Sequence, residues 1–159
     1  MDKGILIPYT YSRFAHISSI CILHHSVVCY QYDENLLCVL YLLSYIMTNL
    51  HWYNLKKNGR IRNFDIAVAH VICIVSIVKA YKYTCFLRFM VGLIFAVTTF
   101  RVNEYLNHHS LYQYDFHNMP YKYKYSVYVR SCLVHILSLH IFQMYNGMTM
   151  LWYCYEKGS

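Results

Sequence analysis

The chain has 159 residues, of which 58% are hydrophobic and 13% charged, with a mean hydropathy of +0.27. A globular domain coats its surface with about 25% charged residues, so this composition excludes an ordinary water-soluble domain and calls for lipid around the chain. The net charge of +7 does not point to nucleic acid, because the basic residues are spread through short polar segments beside apolar runs, where membrane orientation and attraction to anionic lipid account for them.

Residues 1–13 carry no short apolar core followed by a small-residue cleavage site, so no cleaved signal peptide is read there and the first apolar run is expected to act as its own insertion signal. Five apolar runs follow, at 14–32, 36–53, 64–81, 86–102 and 126–153, each of 17 residues or more. About 20 residues at roughly 1.5 Å rise cross a hydrocarbon core of about 30 Å. The runs do not alternate with period two, as strands of a membrane barrel would. The expected fold is therefore all-α, a polytopic transmembrane helix bundle of about five spans forming a single domain over 1–159. The third and fourth runs, 64–102, fit either two full spans or a re-entrant pair.

Loop charges give the orientation. With the N-terminus cytoplasmic, ten basic residues lie inside: Lys3, Arg13, Lys56, Lys57, Arg60, Arg62, Arg101, Lys122, Lys124 and Arg130. Only Lys79, Lys82, Arg88 and Lys157 lie outside. The excess of basic residues on the cytoplasmic side favours an integral membrane protein with its N-terminus inside. Membrane lipid is the expected partner, and a homo-oligomer is open.

Seven cysteines, at positions 21, 29, 38, 73, 85, 132 and 154, fall mostly inside apolar runs without any CxxC pair, which reads as free core thiols. There is no GxSxG elbow and no Gly-rich phosphate loop, so soluble nucleotide chemistry is not indicated.

Ten histidines are the unusual feature, and His16, His24, His25, His70, His135 and His140 fall within the runs. Ionisable groups inside a membrane are expensive and tend to mark function, although a neutral imidazole also serves as an interhelical hydrogen-bonding group. Ser18, Ser19, His24 and His25 lie on the first run, and Asp33-Glu34 opens the second. An imidazole ligand, a carboxylate base and a serine in this arrangement suit a metal-bound water. Asp33-Glu34 equally suits a helix N-terminus. On the last run His135 and His140 are five apart, about 140° around an α-helix, and so do not share a face. His135 shares one with Ser131 or Ser138. A second polar group gathers His51, Asp65, His70, Arg101, Glu104 and the loop residues His108, His109, Asp115 and His117, which read as helix-end ion pairs and surface histidines.

The order of a serine, a mid-span histidine, Asp33-Glu34 before the second run and a late His135-Ile136-Leu137-Ser138 segment resembles the alkaline ceramidase branch of the CREST superfamily of membrane hydrolases. The resemblance implies a helical bundle in which zinc, held by histidines near an aspartate and a serine, hydrolyses a lipid amide. It places the catalytic pair at Asp33 and Ser19 (or Ser18) and metal ligands at His24 or His25 and at His135, with His140 standing in for a missing ligand. The sequence departs from the family pattern in three ways. Ser131 occupies the position four before His135, where the family has histidine. The gap from His24 or His25 to Asp33 is nine or eight residues instead of eleven. The chain also has about two fewer spans, which would make the His24 and His135 helices parallel.

Haem ligated by His24 or His25 with His135 or His140 is the competing cofactor, with Gly92 and Gly147 the only in-span glycines to admit a macrocycle. The remaining reading is a non-enzymatic structural or interaction protein of the membrane, with aromatic belts and a Tyr/Lys loop at 121–125.

Overall fold

The computed structural model describes residues 9–53, 60–82, 85–113, 120–121, 123–124 and 132–158. Among them there is no strand. Helices α1 (Tyr9–Ser18), α2 (Ile20–Gln31), α3 (Asn35–Tyr53), α4 (Arg60–Lys82) and α5 (Phe86–Gln113) are followed by a π-helix (Ile136–Phe142) that runs directly into α6 (Gln143–Gly158). The end of α3 and the start of α4 flank a polar segment ending in Gly59.

Three helices are long and apolar enough to cross a membrane: Asn35–Tyr53, Arg60–Lys82 and Phe86–Asn103. The expected first span, 14–32, is instead two helices joined at Ser19. There the Ser18 hydroxyl donates to Ala15 O at 2.8 Å and the Ser19 hydroxyl to His16 O at 2.6 Å, while the Ser19 amide reaches back only three residues, to His16 O. Hydroxyls that bond the preceding turn compete with the helical ladder and bend it.

The expected fourth span ended at 102, yet α5 continues to Gln113. No glycine or proline stands between Gly92 and Pro120, so nothing stops the helix where apolarity stops. Of the expected last span, 126–131 lies outside the described residues. The rest is helical to Gly158 but widened at 136–142.

Pairwise contacts fix the topology. The Ser26 hydroxyl donates to Cys38 O at 2.8 Å and that of Ser12 to Trp52 O at 3.0 Å, so α1–α2 and α3 are antiparallel. The Thr48 hydroxyl donates to Asp65 Oδ1 at 2.8 Å, and Glu34 pairs with Lys79, so α3 and α4 are antiparallel too. Arg88 Nη1 donates to the Tyr153 hydroxyl at 3.2 Å, and the Phe95 and Phe142 rings meet at 5.1 Å, which sets the last column antiparallel to α5.

The circle closes between the last column and the first. Ser18 touches His140, His25 lies against Gly147, and Tyr32 meets Tyr155. Positions rise together in both, so these columns are parallel, stepping about seven residues at a time as in a left-handed coiled coil.

Polar side chains are buried between the columns alongside the apolar core, and many large apolar side chains face outward. Ser12, Ser19, His25, Ser26, Ser44, Thr48, Ser76, Ser138, His140 and Asn146 are buried, while Ile17, Ile20, Val39, Ile74, Val78, Leu87, Val91, Ile94 and Phe95 are among the exposed residues. An apolar cluster of Val28, Cys29, Leu37, Ala80, Cys85, Phe89, Met150 and Leu151 closes the end near Glu34. No disulfide links the described cysteines, Cys21, Cys29, Cys38, Cys73, Cys85 and Cys132 being free thiols.

Two close approaches require glycine. A Cβ on Gly92 would stand 2.6 Å from Asn146 Cγ, and one on Gly147 would stand 2.7 Å from His25 Nε2. The Asn146 amide uses the first approach to donate to Phe89 O at 3.1 Å. Gly147→Ala is expected to lower stability by about 1–3 kcal/mol through overpacking in thermal unfolding of the detergent-solubilised protein. Most of that loss should disappear in a His25→Ala background, and additive losses would contradict the contact.

Candidate functional site

The two irregular turns meet. The tight turn at Ser18–Ser19 in the first column lies against the wide turn of the π-helix in the last, where Ser18 Oγ and His140 Nδ1 are 2.7 Å apart. A π-helix has i→i+5 bonding, so residues five apart come onto one side. His135 and His140 therefore do share a face, their ring centroids 5.0 Å apart and edge-on, contrary to the α-helical expectation. Within the widened turn the Ser138 hydroxyl donates to Val134 O at 2.6 Å and so competes for a carbonyl of the regular ladder.

Around this pair the site is aromatic. Trp52 lies 5.0 Å from the His135 ring and Phe100 lies 5.6 Å from it, both edge-on. His51 packs on Trp52 at 5.4 Å. His140 is only 4% exposed. Ser18, His51, Trp52, Phe100, His135 and His140 thus form one polar-aromatic centre, drawn from α1, α3, α5 and the π-helix with the residue that precedes it.

The remaining sequence candidates lie elsewhere. His25, 1% exposed, is one heptad along from Ser18, roughly 10 Å at 1.5 Å per residue. It stacks edge-on with Tyr41 at 4.3 Å and faces Gly147, and its Nδ1 is buried without a partner. His24, its sequence neighbour, points outward. Asp33 is exposed at the α2–α3 turn, with a left-handed φ of 57°. Glu34 beside it makes the interhelical pair with Lys79. Ser19 is buried, but its hydroxyl serves its own helix at His16 O.

Asp33 is therefore a further turn and more from His25, at the opposite end of the first column from the His135–His140 pair. Among the described residues no three His, Cys, Asp or Glu side chains gather as a metal-binding group. The full zinc set implied by the ceramidase resemblance does not come together, whereas two of its members, His135 and His140, do. For haem, the expected facing pair is not brought together: His24 points outward, and His25 lies against Tyr41 and Gly147, a heptad away from the Ser18–His140 contact. Ser131, Asp115 and His117 lie outside the described residues, as do the side chains of His108 and His109.

Of the other polar group, Asp65 accepts from Thr48, and His70 Nδ1 bonds Ile66 O in its own helix at 2.7 Å. Sequence reasoning missed Trp52, Phe100 and Asn146. Apolar or amide side chains inside long runs give no chemical signal until the π-turn and the glycine approaches define what they face.

No protein-family model, no curated protein and no solved structure matches the chain.

Removing the Ser18 hydroxyl takes the partner from the buried Nδ1 of His140 and should destabilise the bundle by about 1 kcal/mol or somewhat more, whereas Ser18 keeps its bond to Ala15 O when His140 is removed. In unfolding of the solubilised protein, Ser18→Ala and His140→Ala together should cost less than their sum. Strict additivity would mean that the two groups do not interact.

Proposed function

We propose that the chain is a multi-pass integral membrane protein of five helical columns, with a structural or interaction role and its Tyr9 end on the cytoplasmic side. The observation that carries this reading is the large apolar outer surface combined with polar groups buried between the columns. Serines, threonine, asparagine and two histidines are buried between the columns while isoleucine, valine, leucine and phenylalanine face outward. In water such an arrangement exposes a large apolar surface. In lipid the same arrangement is favourable, because interhelical hydrogen bonds and small-residue approaches are what hold helices together there.

The first and last columns span the membrane as composites, each of two helical pieces whose irregular turns are buried against protein. Non-regular backbone is tolerated at membrane depth under that condition. Arg13, Arg60, Arg62 and Arg101 stand near the Tyr9 end, which agrees with a cytoplasmic placement of that end. The buried histidines on this reading are cross-helix anchors: His140 to Ser18, and His25 to Tyr41 and Gly147.

The protein is expected to remain in the membrane pellet after alkaline carbonate extraction. Glycosylation acceptors placed on spacers in segment 54–59 should stay unmodified, while those placed at 32–34 or 83–84 should be modified. Release into the supernatant would remove the membrane reading, and the reverse glycosylation pattern would invert the orientation.

One observation favours a second reading, a reduced lipid amide hydrolase related to the ceramidases: the widened turn that brings His135 and His140 together beside Ser18. Two imidazoles and a hydroxyl are the groups of this chain that would hold a zinc ion there. Elemental analysis of the purified protein decides. About one zinc per chain, lost in His135→Ala/His140→Ala, supports it, and absence of zinc in protein purified without chelators sinks it.

A further inference from the structure

Most polar side chains within the columns face another column, and His24 does not. It sits near the centre of the 14–32 run, on the outward side of α2, and lipid can neither donate nor accept a hydrogen bond at that depth. Intramembrane ionisable residues almost always face protein or a watery cavity, so an imidazole aimed at lipid marks a face that something polar covers. His70 also faces outward, but its Nδ1 is already bonded to Ile66 O. No hydrogen bond is found for His24 among the described residues.

The face around His24 is patterned. Ile17, Ile20, His24, Val27 and Gln31 are all exposed, the three apolar ones at 66%, 60% and 50%. Within α2 the spacings of four, three and four keep Ile20, His24, Val27 and Gln31 on one stripe, which Ile17 extends across the Ser18–Ser19 turn, and a helix packed along this stripe has a single polar residue at the centre of its seam. A polar residue in such a seam fixes register and partner number.

The chemistry of the seam selects its partner. A neutral imidazole carries one donor and one acceptor nitrogen, and the Gln31 amide carries both functions as well, so each polar group on this stripe can pair with its own copy. Identical chains insert in one orientation, which puts like residues at equal depth. A parallel twofold therefore sets His24 against His24. A stripe bearing a net charge would repel itself, and this one bears none.

We propose that the outward face of α1–α2, centred on His24, is a parallel twofold interface with a second copy of this chain. The inference rests on the membrane reading above. It does not involve the interior centre at His135 and His140, which lies on the other side of the first column.

The test is energy transfer between donor- and acceptor-labelled full-length protein in phosphatidylcholine vesicles, measured as the protein-to-lipid ratio falls. Wild type should show a saturable monomer–dimer transition. His24→Leu should shift it to roughly 3- to 30-fold higher protein density, in line with interhelical hydrogen bonds in membranes. His24→Asn, which keeps a donor and an acceptor, should restore most of the affinity, and His70→Leu should leave it unchanged. Helical circular dichroism shows that each variant is folded. Wild type that stays monomeric at every density overturns the proposal, including in favour of an unlike partner, as does a transition that His24→Leu and His70→Leu shift equally. Protein that fails to float with the vesicles would instead overturn the membrane reading.

Discussion

Closure of the last column onto the first is the constraint on which the other packing depends. Ser18 with His140, His25 with Gly147 and Tyr32 with Tyr155 form three successive levels of one parallel seam. The middle level works only because residue 147 has no side chain, and the top level only because a hydroxyl meets an imidazole nitrogen. Neighbouring columns then take their places around this seam through backbone carbonyls at Cys38, Trp52 and Phe89. Each accepts from a serine or asparagine of the adjacent column, so a polar side chain on one helix reads the backbone of another. In a medium without water such bonds hold a bundle where the hydrophobic effect cannot.

The two departures from α-helical geometry compensate each other. The serine-bonded turn in the first column is tight and the turn at Ile136–Phe142 is wide. Because they lie at one level, the Ser18 hydroxyl finds His140, and the seven-residue step of the seam runs on from that pair. π-helical turns are frequently associated with functional sites. Here the turn has a direct structural effect, turning His135 and His140 onto the same side and enclosing them with Trp52 and Phe100.

The helical class and the apolar runs were legible in the sequence, since three of the five runs are helices long and apolar enough to span. Irregularities inside the other two were not, because Ser18, Ser19 and Ser138 affect the backbone through hydroxyls that periodicity does not see. The spacing of His135 and His140 was misread for the same reason: five residues separate faces on an α-helix and unite them on a π-helix. Asp33 and Glu34 were equivalent as a sequence pair, and only the position of Lys79 at the end of α4 distinguishes the paired Glu34 from the exposed Asp33. Gly92 and Gly147, whose scarcity in the sequence argues against a macrocycle, make room for Asn146 and His25.

The parallel seam also orders the assembly of the protein in time. Its two halves lie at opposite ends of the chain, so a ribosome must deliver every other column before the seam can form. Until then Ser18 lacks its contact with His140 and His25 lacks the cover of Gly147. A chain that stops short of the last column thus leaves open, between its helices, a face of the first column that the finished protein covers.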